Sequence, residues 1–454
     1  MKKFAITILS LCILVVAGCS SSGNNSSYTT TNTNNTNHSA TTAQETKKEE
    51  VKTEEPKQEP VKLRIYAQYS DDDTKLPYDY AIAELKKEMP HVELELEIQA
   101  QDDGQKLKTY AATGNLPDIY QAGLDIITTF RKSGNILELD PYVNEFGFKE
   151  KVFPSTMNTF LTDDGHTYAF PYAGNEFVLL YYNKELFDQT GVEVPTTYDE
   201  LMDAVNKFNA AGITPLSVFA KEKWPTVALY DMFVTRNEPQ GVLKLDKGQA
   251  SISDPAYREA AEKLVELVKA GLLPKGATNL NYDQAAELFY QGKAAMFLNG
   301  QWEIATSTEK LGDKVGWMYF PGTDAANYEV SKYAFTGGGG PSGYAVNPET
   351  KDPALAAKVA AFLSLKYAEY KYTERGNPLV ATKVDKAIVT EYPPMMKQLS
   401  DDISKITSTT AFAWGLSDAK FKAAIEDASQ SLLTGDYSVD QFVKDVEKAI
   451  PAAK

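Results

Sequence analysis

Thr167-Tyr168-Ala169-Phe170-Pro171-Tyr172, then Ala173-Gly174-Asn175-Glu176, then Phe177-Val178-Leu179-Leu180-Tyr181-Tyr182-Asn183, is the stretch around which the chain is organised. A turn at Asp164-Gly165 precedes a short strand that breaks at Pro171. The run that follows is too dense in Tyr, Val and Leu for a half-exposed strand and too short for a free helix. It reads as a buried central strand. Lys184-Glu185-Leu186-Phe187 then starts a helix, and the loop from Gly191 to Pro195 leads to another at Thr197-Tyr198-Asp199-Glu200-Leu201. Thr197 is the expected N-cap there, with Glu200 completing a capping box. The polar Asn175-Glu176 pair falls where the chain passes between strand systems, beside aromatic residues, which suggests a ligand cleft between lobes.

The 454 residues exceed one ordinary domain, so two or three are expected. The composition is that of a globular protein, 43% apolar and 24% charged, and the net charge is −16. Loss of a leader carrying Lys2 and Lys3 would take the net charge to −18. A surface that acidic repels phosphate backbones and disfavours nucleic acid as a partner. The three histidines, His38, His91 and His166, give little material for a histidine metal site or a Ser-His-Asp triad, and His166 reads as a turn residue. Neither metal nor cofactor is expected. The two cysteines, Cys12 and Cys19, lie at the N-terminus, so no disulfide staples the globular part, and stability must come from core burial.

Met1-Lys2-Lys3 is a positively charged start, and Phe4 to Ala17 has the length of a signal-peptide core. The segment closes on Val16-Ala17-Gly18-Cys19, which resembles the lipobox of bacterial lipoproteins. That likeness implies a signal peptide over 1–18 and lipidation of Cys19 by palmitate-type chains. The chain would then be held on the outer face of the bacterial cell membrane. More than one acyl chain gives stable anchoring where a single chain is marginal. Ser20 to Glu59 is rich first in Ser, Thr and Asn, then in Lys, Glu and Pro, and cannot bury a core. Residues 19–60 are therefore expected to be a disordered tether, with a reach of roughly 35 Å for about 40 residues of flexible coil.

Beyond the tether, Leu63–Tyr66 and Val92–Ile98 read as strands with a helix to about Glu88 between them. A helix at Lys106–Ala112 precedes a turn and a third strand ending at Tyr120. Such β-α-β-α-β alternation argues a doubly wound sheet, with ligands at the carboxyl ends of the strands. Helices are expected near 199–209, 227–235 and 256–270, and a helix stopping at Gly292 leads into a strand at 294–298. Thr336-Gly337-Gly338-Gly339-Gly340-Pro341-Ser342-Gly343 enters a strand at Tyr344-Ala345-Val346. Helices follow at 353–364 and from about Ser417 to the C-terminus.

Three phrases, YAFPYAGNEFVLLYYNKELFDQTGVEVPTTYDEL at 168–201, AATGNLPDIY at 111–120 and NYDQAAELFYQGKAAMFLNGQWEI at 281–304, resemble the extracellular solute-binding proteins of sugar-importing ABC transporters. The likeness covers nearly all of Lys62 to Ala449. It implies an α/β fold, a two-lobed periplasmic-binding-protein clamshell in which each lobe is a doubly wound sheet flanked by helices. The N-terminal lobe would take 61–174 plus about 336–380, and the C-terminal lobe 175–335 plus about 381–454. It further implies a carbohydrate ligand, expected to be an oligosaccharide, with a non-sugar solute such as a peptide, polyol or nucleoside as the alternative, together with delivery to ABC permease subunits and a monomer that touches the membrane only through its lipid.

A neutral sugar needs aromatic platforms for its C–H faces and carboxylate or amide groups for its hydroxyls. Trp302, in Asn299-Gly300-Gln301-Trp302, stands where family members that bind maltose-type sugars stack a ring. Asn299 and Tyr172 belong to the same candidate site. Glu222-Lys223-Trp224-Pro225 aligns with an acidic-aromatic segment of those members, so Trp224 is either a second platform or a structural tryptophan before proline. Trp414 falls where the family places a late aromatic, with core packing as the other reading. Glu176 lines up with the crossover glutamate and Asp125 with the first-lobe aspartate of maltose-binding members. Ile126 replaces the arginine expected next, a departure that counts against maltose itself. Asp71, in Asp71-Asp72-Asp73, is a ligand-loop candidate or part of a solvated charge run, and Tyr69 beside it could stack. Gly338, in the glycine run, either approaches ligand or only permits tight turning.

Two other functions use some of the same residues. An exported glycoside hydrolase needs two carboxylates flanking a bond, for which Glu176 and Asp125 are available. A calcium module is suggested by Asp71-x-Asp73, but Leu76 and Ile82 occupy the positions that an EF-hand gives to Gly and Glu. The lipobox, the tether and the clamshell pattern favour a binding protein that is not an enzyme.

Overall fold

The computed structural model describes residues 59–102, 104–153, 156, 161–162, 164–338 and 342–452, and all of these fall in one compact unit, Gln58–Lys454. The expected leader, Cys19 and all but the last residues of the expected tether lie outside the described residues.

Two mixed sheets carry the fold. The first contains β1 (Val61–Ala67), β2 (Val92–Ile98), β3 (Ile119–Ala122), β4 (Ala169–Pro171) and β10 (Gly343–Val346), in the order β2-β1-β3-β10-β4. β1 is parallel to both β2 and β3, as the β-α-β-α-β alternation requires, whereas β10 runs antiparallel to β3 and β4. The second contains β5 (Val178–Asn183), β6 (Thr214–Ser217), β7 (Ala294–Gly300) and β8 (Val315–Met318), in the order β6-β7-β5-β8. β6 and β7 are parallel, and β5 is antiparallel to both of its neighbours. A parallel ladder of β9 (Ala334–Phe335) and β11 (Ser408–Thr409) lies apart from both.

β5 is interior and covered on both faces, which is why its sequence runs apolar without alternation. Val178 and Leu180 enter one core with the helices Tyr198–Ala210, Trp224–Val234, Pro255–Lys269 and Ala419–Leu432. Phe177, Leu179 and Tyr181 enter the opposite core, with Ala285 and Phe289 of the helix Tyr282–Tyr290 and Leu399 of the helix Pro394–Asp402. The first sheet is likewise sandwiched. The helices Asp72–Glu88 and Pro353–Thr373 pack together on one face, and Leu107, Ile126 and Phe130 from the helices Gln105–Ala112 and Leu124–Ser133 cover the other. Thr197 caps its helix with the reciprocal Glu200 bond. The expected C-terminal helix is two, Ala419–Leu432 and Val439–Glu447, with Gly435 at φ +77° in the link. The helix from Pro353 runs on to Thr373, past the 364 that its sequence suggested.

Three passages join the two sheets: one between β4 and β5, one between β9 and β10, and one between the helices Pro353–Thr373 and Pro394–Asp402. They lie main chain against main chain. Gly338 N donates to Glu176 O at 2.7 Å, and Val178 N donates to Thr336 O at 3.0 Å. A β-carbon on Gly174 would sit 1.6 Å from Leu379 O, and one on Gly337, at φ +115°, would sit 2.3 Å from Glu176 O. Glycine is the residue that permits both approaches.

Candidate functional site

Three of the four tryptophans in the chain meet at one cavity. Trp224 opens the helix Trp224–Val234, Trp302 follows β7, and Trp414 follows β11. Their ring centroids stand 5.8 Å (224–302), 4.8 Å (224–414) and 5.4 Å (302–414) apart, inclined by 50–62°. Rings so inclined do not stack on one another, and each keeps part of its surface for the cavity, where all three are half-buried. Trp302 folds back over Gly300, where a β-carbon would come within 2.1 Å of its ring. That contact explains the glycine of the Asn299-Gly300-Gln301-Trp302 turn.

The backbone is strained beside this cluster. Among the described residues, the non-glycine residues with positive φ are Lys223, immediately before Trp224, and Ala411, three before Trp414. Such conformations concentrate at functional sites because the surroundings must over-determine them. Lys223, at φ 60° and ψ −49°, turns the chain so that Glu222 and Trp224 both face the cavity. The Gln301 side chain holds the opposite wall: its Oε1 accepts from Phe177 N at 2.6 Å and its Nε2 donates to Asn175 O at 3.1 Å. The crossing that carries Glu176 is thereby fixed against the turn that carries Trp302.

The cavity opens to solvent and takes walls from the flanks of both sheets. Asp71, Asp73, Tyr172, Glu176 and Lys371 come from segments beside the first sheet or leading from it. Phe219, Glu222 and Tyr282 come from segments beside the second. Burial pushes the Glu176 carboxyl up to about 7, with Lys371 easing and Asp73 adding to the shift. Burial also raises Glu222 to about 7, against the backbone N–H of Tyr282 and with Asp71 adding to it. Asp71 caps the helix Asp72–Glu88, accepting from Thr74 N at 3.0 Å, and burial beside Asp73 raises its pKa. Lys371 is paired with Asp73.

Of the residues singled out from sequence, Asp71, Tyr172, Glu176, Trp224, Trp302 and Trp414 line this one cavity. Tyr69 does not: its hydroxyl reaches Asp79 at 3.0 Å and its ring meets Tyr78 edge-on. Asn299 is fully buried behind the wall, donating to the Tyr282 hydroxyl at 3.0 Å and to Glu303 Oε2 at 3.2 Å. Glu303 in turn receives the hydroxyls of Tyr282 and Ser307 at 2.6 Å and that of Tyr290, so this buried network orients Tyr282 from behind. Gly338 packs against Thr409, which a β-carbon would approach to 2.7 Å. Asp125, 7% exposed, lines an adjoining compartment and accepts from Lys422 Nζ at 3.1 Å. Phe219, Tyr282 and Lys371 were not singled out. Tyr282 had one usable signal, its place directly after the N-cap Asn281, while Lys371 lies in a part of its helix that the sequence reading ended too early.

The sequence profile of the family described as "Bacterial extracellular solute-binding protein" matches residues 71–366. A "Probable sugar-binding periplasmic protein" of Brucella suis biovar 1 (strain 1330) is 26% identical over 357 residues, 77% of this chain and 82% of its own. The "Multiple sugar-binding protein" of Streptococcus mutans serotype c is 24% identical over 352 residues, 73% of this chain and 78% of its own. A solved structure from work on xylan utilization by the thermophilic bacterium Caldanaerobius polysaccharolyticus superposes with a TM-score of 0.75 at 26% identity, over 86% of this chain and all of its own. A chitin oligosaccharide binding protein superposes with a TM-score of 0.74 at 23% identity, over 86% of this chain and 98% of its own, which speaks to the two-lobed fold alone. No helix among the described residues is long and apolar enough to cross a membrane. From the length of the profile match and the agreement in fold, the chain belongs to the bacterial extracellular solute-binding proteins.

Proposed function

We propose that this chain is the substrate-binding lipoprotein of an ABC importer, that it captures an oligosaccharide between two lobes, and that it binds rather than hydrolyses it. The observation that carries the reading is the cluster of Trp224, Trp302 and Trp414 around a cavity edged by Asp71, Glu176 and Glu222. The rings supply faces for sugar C–H groups, and the carboxylates accept sugar hydroxyls. Similar proteins support the class: the Brucella and Streptococcus relatives are named for sugar binding, and the Caldanaerobius structure comes from work on xylan utilization.

We put the lobe boundaries at 174/175, at about 335/336 and at about 380/381, a division that the three passages between the sheets support. Capture works by closure: a ligand touching walls from both lobes favours the closed arrangement by its extra contacts there. Cys19 is the anchor, ABC permease subunits are the membrane partner, and the protein acts as a monomer without metal or cofactor. Asp125, half of the carboxylate pair that a hydrolase would use, is tied to Lys422 in the adjoining compartment.

The test is tryptophan fluorescence and small-angle scattering of the purified protein with xylo-, cello- and malto-oligosaccharides, followed by chromatography of the sugar recovered. A saturable fluorescence change, compaction and an intact sugar are expected. Failure of every sugar to move either signal would sink the carbohydrate reading, and shortened sugar would sink the non-catalytic one.

A further inference from the structure

Asp231 is fully buried in the helix Trp224–Val234, the helix that Trp224 opens. A carboxylate taken out of water is costly unless donors replace the solvent, and three other segments supply them here. Val242 N donates to Oδ1 at 2.8 Å, the Thr336 hydroxyl donates to Oδ2 at 2.8 Å, and the Thr410 side chain makes a further hydrogen bond. Burial pushes the carboxyl up to about 6, while these bonds and the charge of Arg236 act against the shift. Gly241, at φ +51°, makes the room. A β-carbon there would sit 2.2 Å from Asp231 Oδ1 and 2.6 Å from Thr410 Cγ2.

Thr336 follows β9 and Thr410 follows β11, the two strands of one parallel ladder. Beyond Thr336 the chain enters the passage between the sheets at Gly337, and beyond Thr410 it enters the turn that carries Trp414. The two segments stay in contact there. Gly337 N donates to Thr410 Oγ1 at 3.4 Å, and Ala411 N, at the second strained residue, donates to Gly337 O at 3.0 Å. Gly415 N then donates to Ala411 O at 2.6 Å and closes the turn around Trp414. Arg236, just past the same helix as Asp231, holds the strand that leads into the passage, with Nη2 donating to Ala334 O at 2.8 Å.

A satisfied buried polar network rigidifies the segments it joins and specifies one arrangement of them. We infer that Asp231 is a positioning residue of the ligand site: it locks the passage between the sheets to the turn that carries Trp414, so that this ring is aimed by the passage and moves with it. Asp231 itself touches no ligand, and it acts through Thr336 and Thr410. The inference rests on the reading of the tryptophan cavity as a ligand cleft.

Asp231→Ala would strip several donors of their acceptor at once, so milder variants make the test. The Thr336 side chain points to Asp231 rather than into the tryptophan cavity. Near-ultraviolet circular dichroism of the unliganded full chain is compared for Thr336→Val and for Asp231→Asn, which keeps one oxygen for Val242 N, each alone and in a Trp414→Phe background. Both should change the indole bands, and the Thr336→Val change should vanish once Trp414 is gone, because coupled residues are not additive. Unchanged bands in both variants would overturn the inference. So would a Thr336→Val change that persists undiminished without Trp414, since it would come from another tryptophan. A second arm titrates the same variants with xylo-, cello- and malto-oligosaccharides by calorimetry. In any series that binds, Thr336→Val should weaken binding about fivefold to tenfold, the effect of one lost hydrogen bond, and should add nothing to the loss in Trp414→Phe. Additive losses would make the network a structural one only. Silence from every sugar would remove the carbohydrate reading, and the dichroism alone would then decide the role of Asp231.

Discussion

Asp125 and Lys422 are joined across the cleft, Oδ2 to Nζ at 3.1 Å, with side-chain exposures of 9% and 15%. Asp125 lies in the helix Leu124–Ser133 against the first sheet, and Lys422 in the helix Ala419–Leu432 against the core of the second. Removal of one member of a buried pair is costly where the other stays buried, but here opening the cleft lets water reach Asp125. Lys422→Ala should therefore cost only about 1 kcal/mol of folding stability, while shifting the unliganded protein towards an open form and weakening ligand binding severalfold. Small-angle scattering of the unliganded variant checks this. An unchanged radius of gyration would mean that the pair does not hold the lobes together.

Two tryptophans should respond in opposite ways. Trp302 is half-buried and faces the cavity, whereas Trp317 is 3% exposed and donates from Nε1 to Met395 O at 2.9 Å. Trp302→Ala should reduce sugar binding by about 1–3 kcal/mol, if ring stacking on sugars is comparable to stacking on bases, with little effect on melting. Trp317→Ala should cost about 3–5 kcal/mol of stability and leave affinity intact. Calorimetry and thermal melts on both variants separate the roles, and the reverse pattern would put Trp302 in the core.

Glu176 and Glu222 set a pH dependence of stability. An unfolded glutamate titrates near about 4.3, and burial holds these two at about 7 in the folded chain. Between those values the folded state keeps protons that the unfolded chain has released. The stabilisation is complete below the unfolded value and is lost as pH rises through the folded one. The melting temperature should fall from about pH 5 to about pH 8, and the double variant Glu176→Gln, Glu222→Gln should show a flatter profile. An equally steep fall in the double variant would assign the dependence to other groups.

Lys223 is held at φ 60° with no glycine to relieve it. Residues in such conformations carry about 1–3 kcal/mol of strain, and the Lys223–Asp427 pair is exposed enough to contribute little in return. Lys223→Gly should raise stability by about 1 kcal/mol once the extra freedom of glycine is deducted. It should also loosen the placement of Trp224 and so weaken binding. A variant that melts earlier would show that the turn is unstrained.

Cys19, if it carries the lipid, controls fractionation. Cys19→Ala should abolish incorporation of an acyl label and release the protein from the membrane fraction. Persistent labelling of the variant would place the anchor elsewhere.

The fold was legible where burial leaves a pattern along the chain. β5 announced itself because both of its faces are covered, and the helix at Tyr198 because Thr197 and Glu200 cap it reciprocally. The orientation of its neighbours was not legible: nothing local in β5 says that it runs antiparallel to β7 and β8. The site divides in the same way. Trp302 could be picked out by the turn around it, but Asn299, in the same motif, is on a strand buried all round and turns its amide to Glu303 instead. Tyr69 lies between cavity residues Gln68 and Ser70 yet points to Asp79, a matter of side-chain direction that spacing does not encode. Phe219, Tyr282 and Lys371 reach the cavity from segments far apart in sequence, and only the folded chain brings them together.

Gly174 against Leu379 and Gly337 against Glu176 leave no side chain between the passages that join the sheets. A joint without side-chain padding has little room to slide, so relative motion of the two halves reduces to rotation about a fixed line. Displacement under rotation grows with the lever arm. Groups next to the joint, such as Glu176 and Gln301, should then shift least, while the Asp125–Lys422 contact, carried on helices beyond it, should travel furthest. Distance probes placed at the two radii would report unequal swings of one angle, with the tryptophans reading the inner end and the ion pair the outer.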